Sequence, residues 1–219
     1  MSGGWQYGMI RRGATDGCRR IVKLGGSLLA TPAWPDLVAA LVREQSHDRA
    51  VVLVVGGGAI VDGLRAIDAA HPLPQELTHR LAIESLGATA RIVAATLGLP
   101  LDREPANMRA SVLDLPAWLD REDRFARLPV GWHVTSDSLA AAVAVSHACD
   151  LLLAKSVPPP CRQDDALELL VQAGWVDGFF AAAAAPLAGI AWASPASVPP
   201  PLVGGSGSER RGADRDGIA

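Results

Sequence analysis

Val51-Val52-Leu53-Val54-Val55-Gly56-Gly57-Gly58 joins an unbroken apolar run to three consecutive glycines. A continuous run rich in β-branched residues is the pattern of a strand buried on both faces. Three glycines at its carboxyl end cost chain entropy that a plain turn does not demand, so they point to a close backbone approach. Leu151-Leu152-Leu153-Ala154 has the same character, and Ile21-Val22-Lys23-Leu24 reads as a further strand. Trp132 to Thr135, Gly189 to Trp192 and Ser111 to Leu113 are weaker strand candidates. Helical stretches fill the gaps. Pro35 to Gln45 opens with a proline suited to a first turn. Ile60 to Ala70 follows the glycines, and Pro74 to Leu97 carries Leu77, Leu81, Ala88, Ile92 and Ala95 as an apolar face at helical spacing. Ser138 to His147, Asp164 to Ala173 and the alanine-rich Ala181 to Ala185 complete the set. Strands alternating with helices predict an α/β chain: a three-layer α/β/α sandwich around a mostly parallel central sheet with right-handed crossovers. In such a sheet ligands gather at the carboxyl ends of the strands.

The chain has 219 residues, 49% hydrophobic and 20% charged, which suits one domain with a sizeable core. A net charge of -3 argues against a broad nucleic-acid surface. Mean hydropathy is +0.21, but Gly, Pro or Asp interrupt every apolar stretch well short of the roughly 18 residues of a membrane span. Cys18, Cys149 and Cys161 form no CxxC pair, which argues against a disulfide scaffold or a zinc site and fits a reducing cytoplasm. The first ordered element is expected at Ile21. Residues 1–17 are expected to be a flexible extension in which Trp5 and Tyr7 have no assigned place, 18–198 the folded unit, and 199–219 a disordered tail of Gly, Ser and charge after Pro199-Pro200-Pro201.

The residues that carry chemistry follow the strands. Lys23-Leu24-Gly25-Gly26-Ser27 ends a strand with a lysine and two glycines, whose backbone can approach a polyanion and turn N–H groups toward it. The alternative is a tight turn with an exposed lysine. Gly56-Gly57-Gly58 offers the same kind of approach, or a loose turn before the helix carrying Asp62 and Arg65. In Thr135-Ser136-Asp137-Ser138, Ser136 or Asp137 is either a plain helix N-cap or, for Asp137, a carboxylate positioning a lysine or a hydrated metal ion. Lys155-Ser156 puts a second lysine after a strand. Two lysines converging on one crevice repel unless an anion or Asp137 lies between them. Phosphoryl transfer needs little more than positioning and positive charge around the moving group. There is no GxxxxGK[ST] loop and no GxGxxG after a strand, which excludes a Walker A protein and a dinucleotide oxidoreductase. The alternation of Arg121, Arg124 and Arg127 with Asp120, Glu122 and Asp123 is a solvated mixed-charge stretch.

With these motifs in this order, from residue 21 to about 155, the sequence resembles the amino acid kinase superfamily, which includes acetylglutamate kinase, uridylate kinase, aspartokinase and isopentenyl phosphate kinase. Asp62-Gly63-Leu64-Arg65, Thr78 to Ile83, Trp132 to Ser138 and Leu152 to Ser156 make it similar to the short branch of that superfamily active in methanofuran biosynthesis. The resemblance implies an ATP-dependent kinase whose acceptor is a small, already phosphorylated molecule such as an aminomethylfuran phosphate. It implies that Lys23 stabilises the transferring γ-phosphoryl, that Gly25, Gly26, Ser27 and Ser136 hold ATP, and that Asp137 orients the lysines or Mg2+. Lys155 would be a second phosphate lysine. Gly56, Gly57, Gly58, Asp62 and His79 would receive the acceptor, although His79 reads equally as a helix histidine bonded within the fold. The implied cofactors are ATP and Mg2+ and the implied partner is the acceptor, with a homo-oligomer formed through the helix from Pro74; no residue is assigned as a metal ligand. One departure stands out. Val157 runs into Pro158-Pro159-Pro160-Cys161 and no GGM-x-x-K nucleotide loop follows; Gly174-Trp175-Val176-Asp177-Gly178 carries no lysine. That departure leaves a second expectation open: a catalytically inactive module that binds a nucleotide or phosphorylated metabolite.

Overall fold

A computed structural model describes residues 4–13, 19–105, 109–121, 124, 128–160 and 166–196. Its strands are β1 Trp5–Arg11, β2 Arg19–Leu24, β3 Ala50–Val55, β4 Leu101–Asp102, β5 Ser111–Leu113, β6 Asp150–Ala154 and β7 Ile190–Pro195. Its helices are α1 Trp34–Gln45, α2 Gly58–Ala70, α3 Gln75–Leu97, α4 Leu115–Leu119, α5 Ser136–Ser146, α6 Leu167–Gln172 and α7 Phe180–Ala184, with a 3-10 turn at Gly26–Ala30. The strands form one sheet in the order β1-β7-β6-β2-β3-β5-β4. Every pairing is parallel except β1 with β7. This is the expected mostly parallel α/β architecture.

The central strands β2, β3 and β6 bury both faces, and the period of two divides their side chains between two cores. Val22, Leu24, Leu53, Val55, Leu152 and Ala154 pack with Val38 and Leu41 of α1 and with Val93 of α3. Ile21, Val52, Val54, Leu151 and Leu153 pack with Leu139 and Val143 of α5 and Phe180 of α7. Helices therefore cover both faces of the sheet. Among the described residues no helix is long and apolar enough to cross a membrane.

Three expectations are corrected. The N-terminal segment is not a flexible extension over Trp5–Arg11: it is β1, antiparallel to β7 in a register that pairs Trp5 with Pro195. Trp5 is buried and its Nε1 donates to the Leu37 carbonyl at 2.9 Å, which ties the strand to α1. The partner strand lies some 180 residues away, so no local pattern announces the pairing. Residues 1–3 and 14–17 of the expected extension, Cys18 at the start of the expected folded unit, and the whole of the expected tail lie outside the described residues. Trp132 to Thr135 is a turn leading into α5 and not a strand. On α3 the buried face is not the one expected. Thr78, His79, Ile83, Leu86, Ala90 and Val93 are buried, whereas Leu77 and Ile92 are 45% and 51% exposed. This helix has two apolar stripes, and only the position of the sheet decides which one it covers.

Candidate active site

Strand parity aims the lysines. Along β2, Ile21 belongs to the α5 side and Val22 and Leu24 to the α1 side. Lys23 therefore leans toward α5, and it is only 5% exposed. In β6, Leu151 and Leu153 face α5, and Lys155 continues that series just past the strand end. The two strands are parallel neighbours with Lys23 opposite Leu153. Two ammonium groups thus leave adjacent strand ends on one face.

The start of α5 brings Asp137 between them. Lys23 Nζ lies 2.8 Å from Oδ1 and Lys155 Nζ lies 2.9 Å from Oδ2 of this one buried carboxylate. Burial opposes ionisation of Asp137 most strongly, but the charges of Lys23 and Lys155 outweigh it and hold the carboxyl below its ordinary value. Lys155 is pushed down to about 8, by burial first and by the Lys23 charge second, while Asp137 works the other way. Below that pH two cations share one anion, which leaves a buried net positive charge.

The expected capping of α5 by its own residues is replaced by a distant one. Thr135 is the N-cap, yet no side chain of its own caps the helix. Asp177 does this instead: its Oδ2 accepts the Thr135 hydroxyl at 2.8 Å and the Thr135 and Ser138 N–H groups at 3.0 Å. Trp175, two residues before it, accepts a hydrogen bond from Lys155 Nζ through its carbonyl and lies with its ring centroid 4.7 Å from that Nζ. Sequence reading missed both residues. Their turn carries no charge pattern of a site, and their partners lie 18 to 42 positions away.

The glycine loops meet beside this cluster. A Cβ on Gly26 would fall 2.2 Å from the Gly58 nitrogen, and Gly58 adopts a φ of +51°. Only glycines allow the two strand ends to approach so closely. The Gly25 N–H donates to the Ala154 carbonyl and the Gly56 N–H to the Leu24 carbonyl, both at 2.8 Å, which extends the sheet ladder into the loops. Ser27 Oγ lies 3.2 Å from Ser156 Oγ and bridges the ends of β2 and β6. Ser136 is buried with its Oγ against Gly56.

A cavity of about 250 Å³ opens between α2, α3 and the start of α5. Gly26, Ser27, the three glycines 56–58, Ser136, Asp62, Arg65, His79 and Trp132 line it. The structure thus brings the residues expected to receive an acceptor to one cavity; Lys23, Asp137 and Lys155 do not line it, and Ser136 links the two parts through the chain. Arg65 pairs with Asp62 at 3.0 Å and lies 5.2 Å from the Trp132 ring centroid, while Trp132 Nε1 donates to Asp68 at 2.8 Å. Sequence reading gave Arg65 and Trp132 no site role, because only the fold carries them to the cavity. His79 is buried at the cavity wall. Burial holds its imidazole below the ordinary value, opposed by a hydrogen bond to the Gly131 backbone and aided by His133.

Residues 19–106 match the sequence pattern of the Amino acid kinase family. By overall structure the chain is similar to UMP kinase from Ureaplasma parvum, with a TM-score of 0.53, 14% identity, and coverage of 77% of this chain and 84% of that one. It is similar to uridylate kinase from Archaeoglobus fulgidus, with a TM-score of 0.51, 15% identity, and coverage of 75% and 84%. The chain has the amino acid kinase fold. In that fold, aspartate kinase from Synechocystis is a further likeness, with a TM-score of 0.51 and 16% identity over 80% of this chain and 40% of that one. In sequence, the chain is 31% identical over 128 residues to [5-(aminomethyl)furan-3-yl]methyl phosphate kinase of Methanocaldococcus jannaschii. That match covers 55% of this chain and 57% of the length of the kinase.

Proposed function

We propose that the protein is a phosphotransferase that moves the γ-phosphoryl group of ATP to a small, already phosphorylated acceptor. The observation that carries this reading is the pair of lysines from adjacent strand ends, Lys23 buried and Lys155 partly buried, held on one buried carboxylate. In this reading Lys23 and Lys155 neutralise charge on the transferring group. Lys155 supplies the second cation that the absent GGM-x-x-K loop does not. Asp137 keeps both ammonium groups aimed and favours the charged form of Lys155. Backbone N–H groups of Gly26 and Ser27, with Ser136, hold the donor phosphates, while the Gly25 N–H stays on the Ala154 carbonyl and sets the turn. The acceptor occupies the cavity bounded by Gly56, Gly57, Gly58, Asp62 and His79, with Arg65 as the cation at its wall. A phosphate oxygen of the acceptor attacks the γ-phosphorus as the bond to the β-bridging oxygen breaks, giving a diphosphate and ADP. Such an oxygen is already anionic and needs no general base.

An aminomethylfuran phosphate is the acceptor we favour, on the strength of the partial match to the methanococcal kinase. Both oxygens of Asp137 are occupied by ammonium groups, and among the described residues no cluster of His, Cys, Asp or Glu is suited to a metal. These donors do not fit a resident Mg2+, and no step is assigned to one. The exposed Leu77 and Ile92 stripe of α3 is the face we assign to a homodimer, and the cytoplasm is the compartment that fits ATP use.

The test is ADP release with Mg-ATP and a panel of phosphorylated small molecules including the aminomethylfuran phosphate, read with ³¹P NMR for a new diphosphate. Lys23→Met should abolish transfer while leaving the circular dichroism spectrum unchanged. Equal turnover by that variant overturns the assignment. The prolines at 158–160 favour a second reading, a nucleotide-binding module without turnover. Calorimetric binding of ATP with no ADP formed on any acceptor would support it instead.

A further inference from the structure

The turn between α6 and α7 touches the lysine–carboxylate cluster at two points. Asp177 collects five donors: the backbone N–H groups of Thr135, Ser138 and Phe179, and the hydroxyls of Thr135 and Ser138. The Ser138 N–H is the third of the helix, the donor that an N-cap side chain ordinarily satisfies. A residue 39 positions away takes that donor in place of the N-cap Thr135, whose own hydroxyl also donates to it. Asp177 thereby grips the helix on both sides of Asp137, which projects between the lysines. Trp175 fixes the other partner. Its carbonyl accepts Lys155 Nζ, its ring faces the same ammonium group, and its Nε1 donates to the Val157 carbonyl at 3.1 Å, two residues past the lysine. The turn is itself anchored by buried Leu170 before it and buried Phe180 after it.

We propose that Trp175 to Asp177 is a positioning element: Asp177 sets the start of α5 and through it the direction of Asp137, while Trp175 sets the ammonium group of Lys155. Neither residue needs to meet the substrate. Both ends of the Lys155–Asp137 contact are held by one short turn, so the contact keeps its geometry only while that turn is in place. The element rests on the reading of Lys23, Asp137 and Lys155 as the phosphoryl cradle. It goes beyond that reading by assigning the support of the cradle to a segment outside the sheet ends.

The experiment uses Asp177→Asn, with Thr135→Val as a milder variant that removes one hydroxyl and keeps the side-chain shape. Two quantities are read on the full chain. One is kcat against KM with Mg-ATP and the acceptor. The other, independent of turnover, is the pH dependence of acetylation of Lys155 by acetic anhydride, followed by mass spectrometry. Asp177→Asn should lower kcat roughly 10- to 100-fold with both KM values within about threefold, since a small misplacement of positioned groups costs that much. It should also move the midpoint of Lys155 acetylation below the wild-type value of about 8. Part of that shift is the direct loss of the Asp177 charge, which itself favours the charged amine, so the part that reports on Asp137 is read from Thr135→Val, which keeps every charge. Thr135→Val should show both effects to a smaller degree, and it carries the test should Asp177→Asn fail to fold. A folded Thr135→Val protein with a lowered Tm but unchanged kcat and an unchanged acetylation midpoint overturns the proposal, because a purely structural cap gives that result. Wild-type protein that transfers no phosphoryl group, with the acetylation midpoint still shifting in the charge-conserving Thr135→Val, refutes the kinase reading and upholds the positioning element.

Discussion

Asp137→Asn is the sharpest probe of the cluster. The wild-type carboxylate is 7% exposed and meets ammonium groups at 2.8 and 2.9 Å whose side chains are 6% and 13% exposed. Asparagine keeps the shape and removes the charge, which leaves one buried and one largely buried cation facing each other. Removing one partner of a buried ion pair costs roughly 3–5 kcal/mol. For a chain of this size that corresponds to a fall in Tm of roughly 6–20 °C. The deficit should depend on pH in a direction the linkage fixes. Lys155 already sits at about 8 in the wild type, and loss of Asp137 lowers it further, because Asp137 is one of the groups that raises it. A lysine depressed on folding binds fewer protons in the folded state than in the unfolded one, so stability rises with pH above its folded value. Between the variant's lower value and about 8, only the variant gains in this way, so its deficit shrinks across that window. Above about 8 both proteins gain together and the difference levels off. Asp137 itself is held below the ordinary carboxylate range and contributes a constant amount throughout neutral pH. Thermal melts at pH 6 and pH 8.5 give the answer. A deficit equal at both values, or a variant as stable as the wild type, refutes the view that the carboxylate neutralises the two lysines.

The same amine governs the alkaline limb of activity. kcat/KM for ATP should fall as pH rises through about 8, where Lys155 of the free protein loses its proton, and a profile flat to pH 10 contradicts the role given to it. Two glycine substitutions should act in opposite directions on the chemical-denaturation midpoint. Gly26→Ala places a Cβ 2.2 Å from backbone of Gly58 and should cost about 1–3 kcal/mol and phosphoryl transfer with it. Gly63→Ala meets nothing within 4 Å on α2 and should stabilise the protein by about 0.5–1 kcal/mol.

Local pattern was enough for the sheet's centre. The unbroken apolar runs of β3 and β6 announce strands buried on both faces, and the glycines and lysines after them mark the carboxyl ends, because side-chain period and backbone freedom are properties of a few adjacent residues. Parity alone already places Lys23 and Lys155 on one face once their strands are neighbours. What the chain does not write locally is which elements become neighbours. β1 depends on β7, some 180 residues away, and the covered stripe of α3 depends on where the sheet lies against a helix with two apolar stripes. Asp177 and Trp175 are ordinary turn residues until folding carries them to α5 and Lys155, as Arg65 and Trp132 are until α2 meets the turn before α5. Short-range sequence thus determined the groups available for chemistry. Long-range packing alone decided which of them are held, because a hydrogen bond across dozens of residues has no signature in either partner's immediate surroundings.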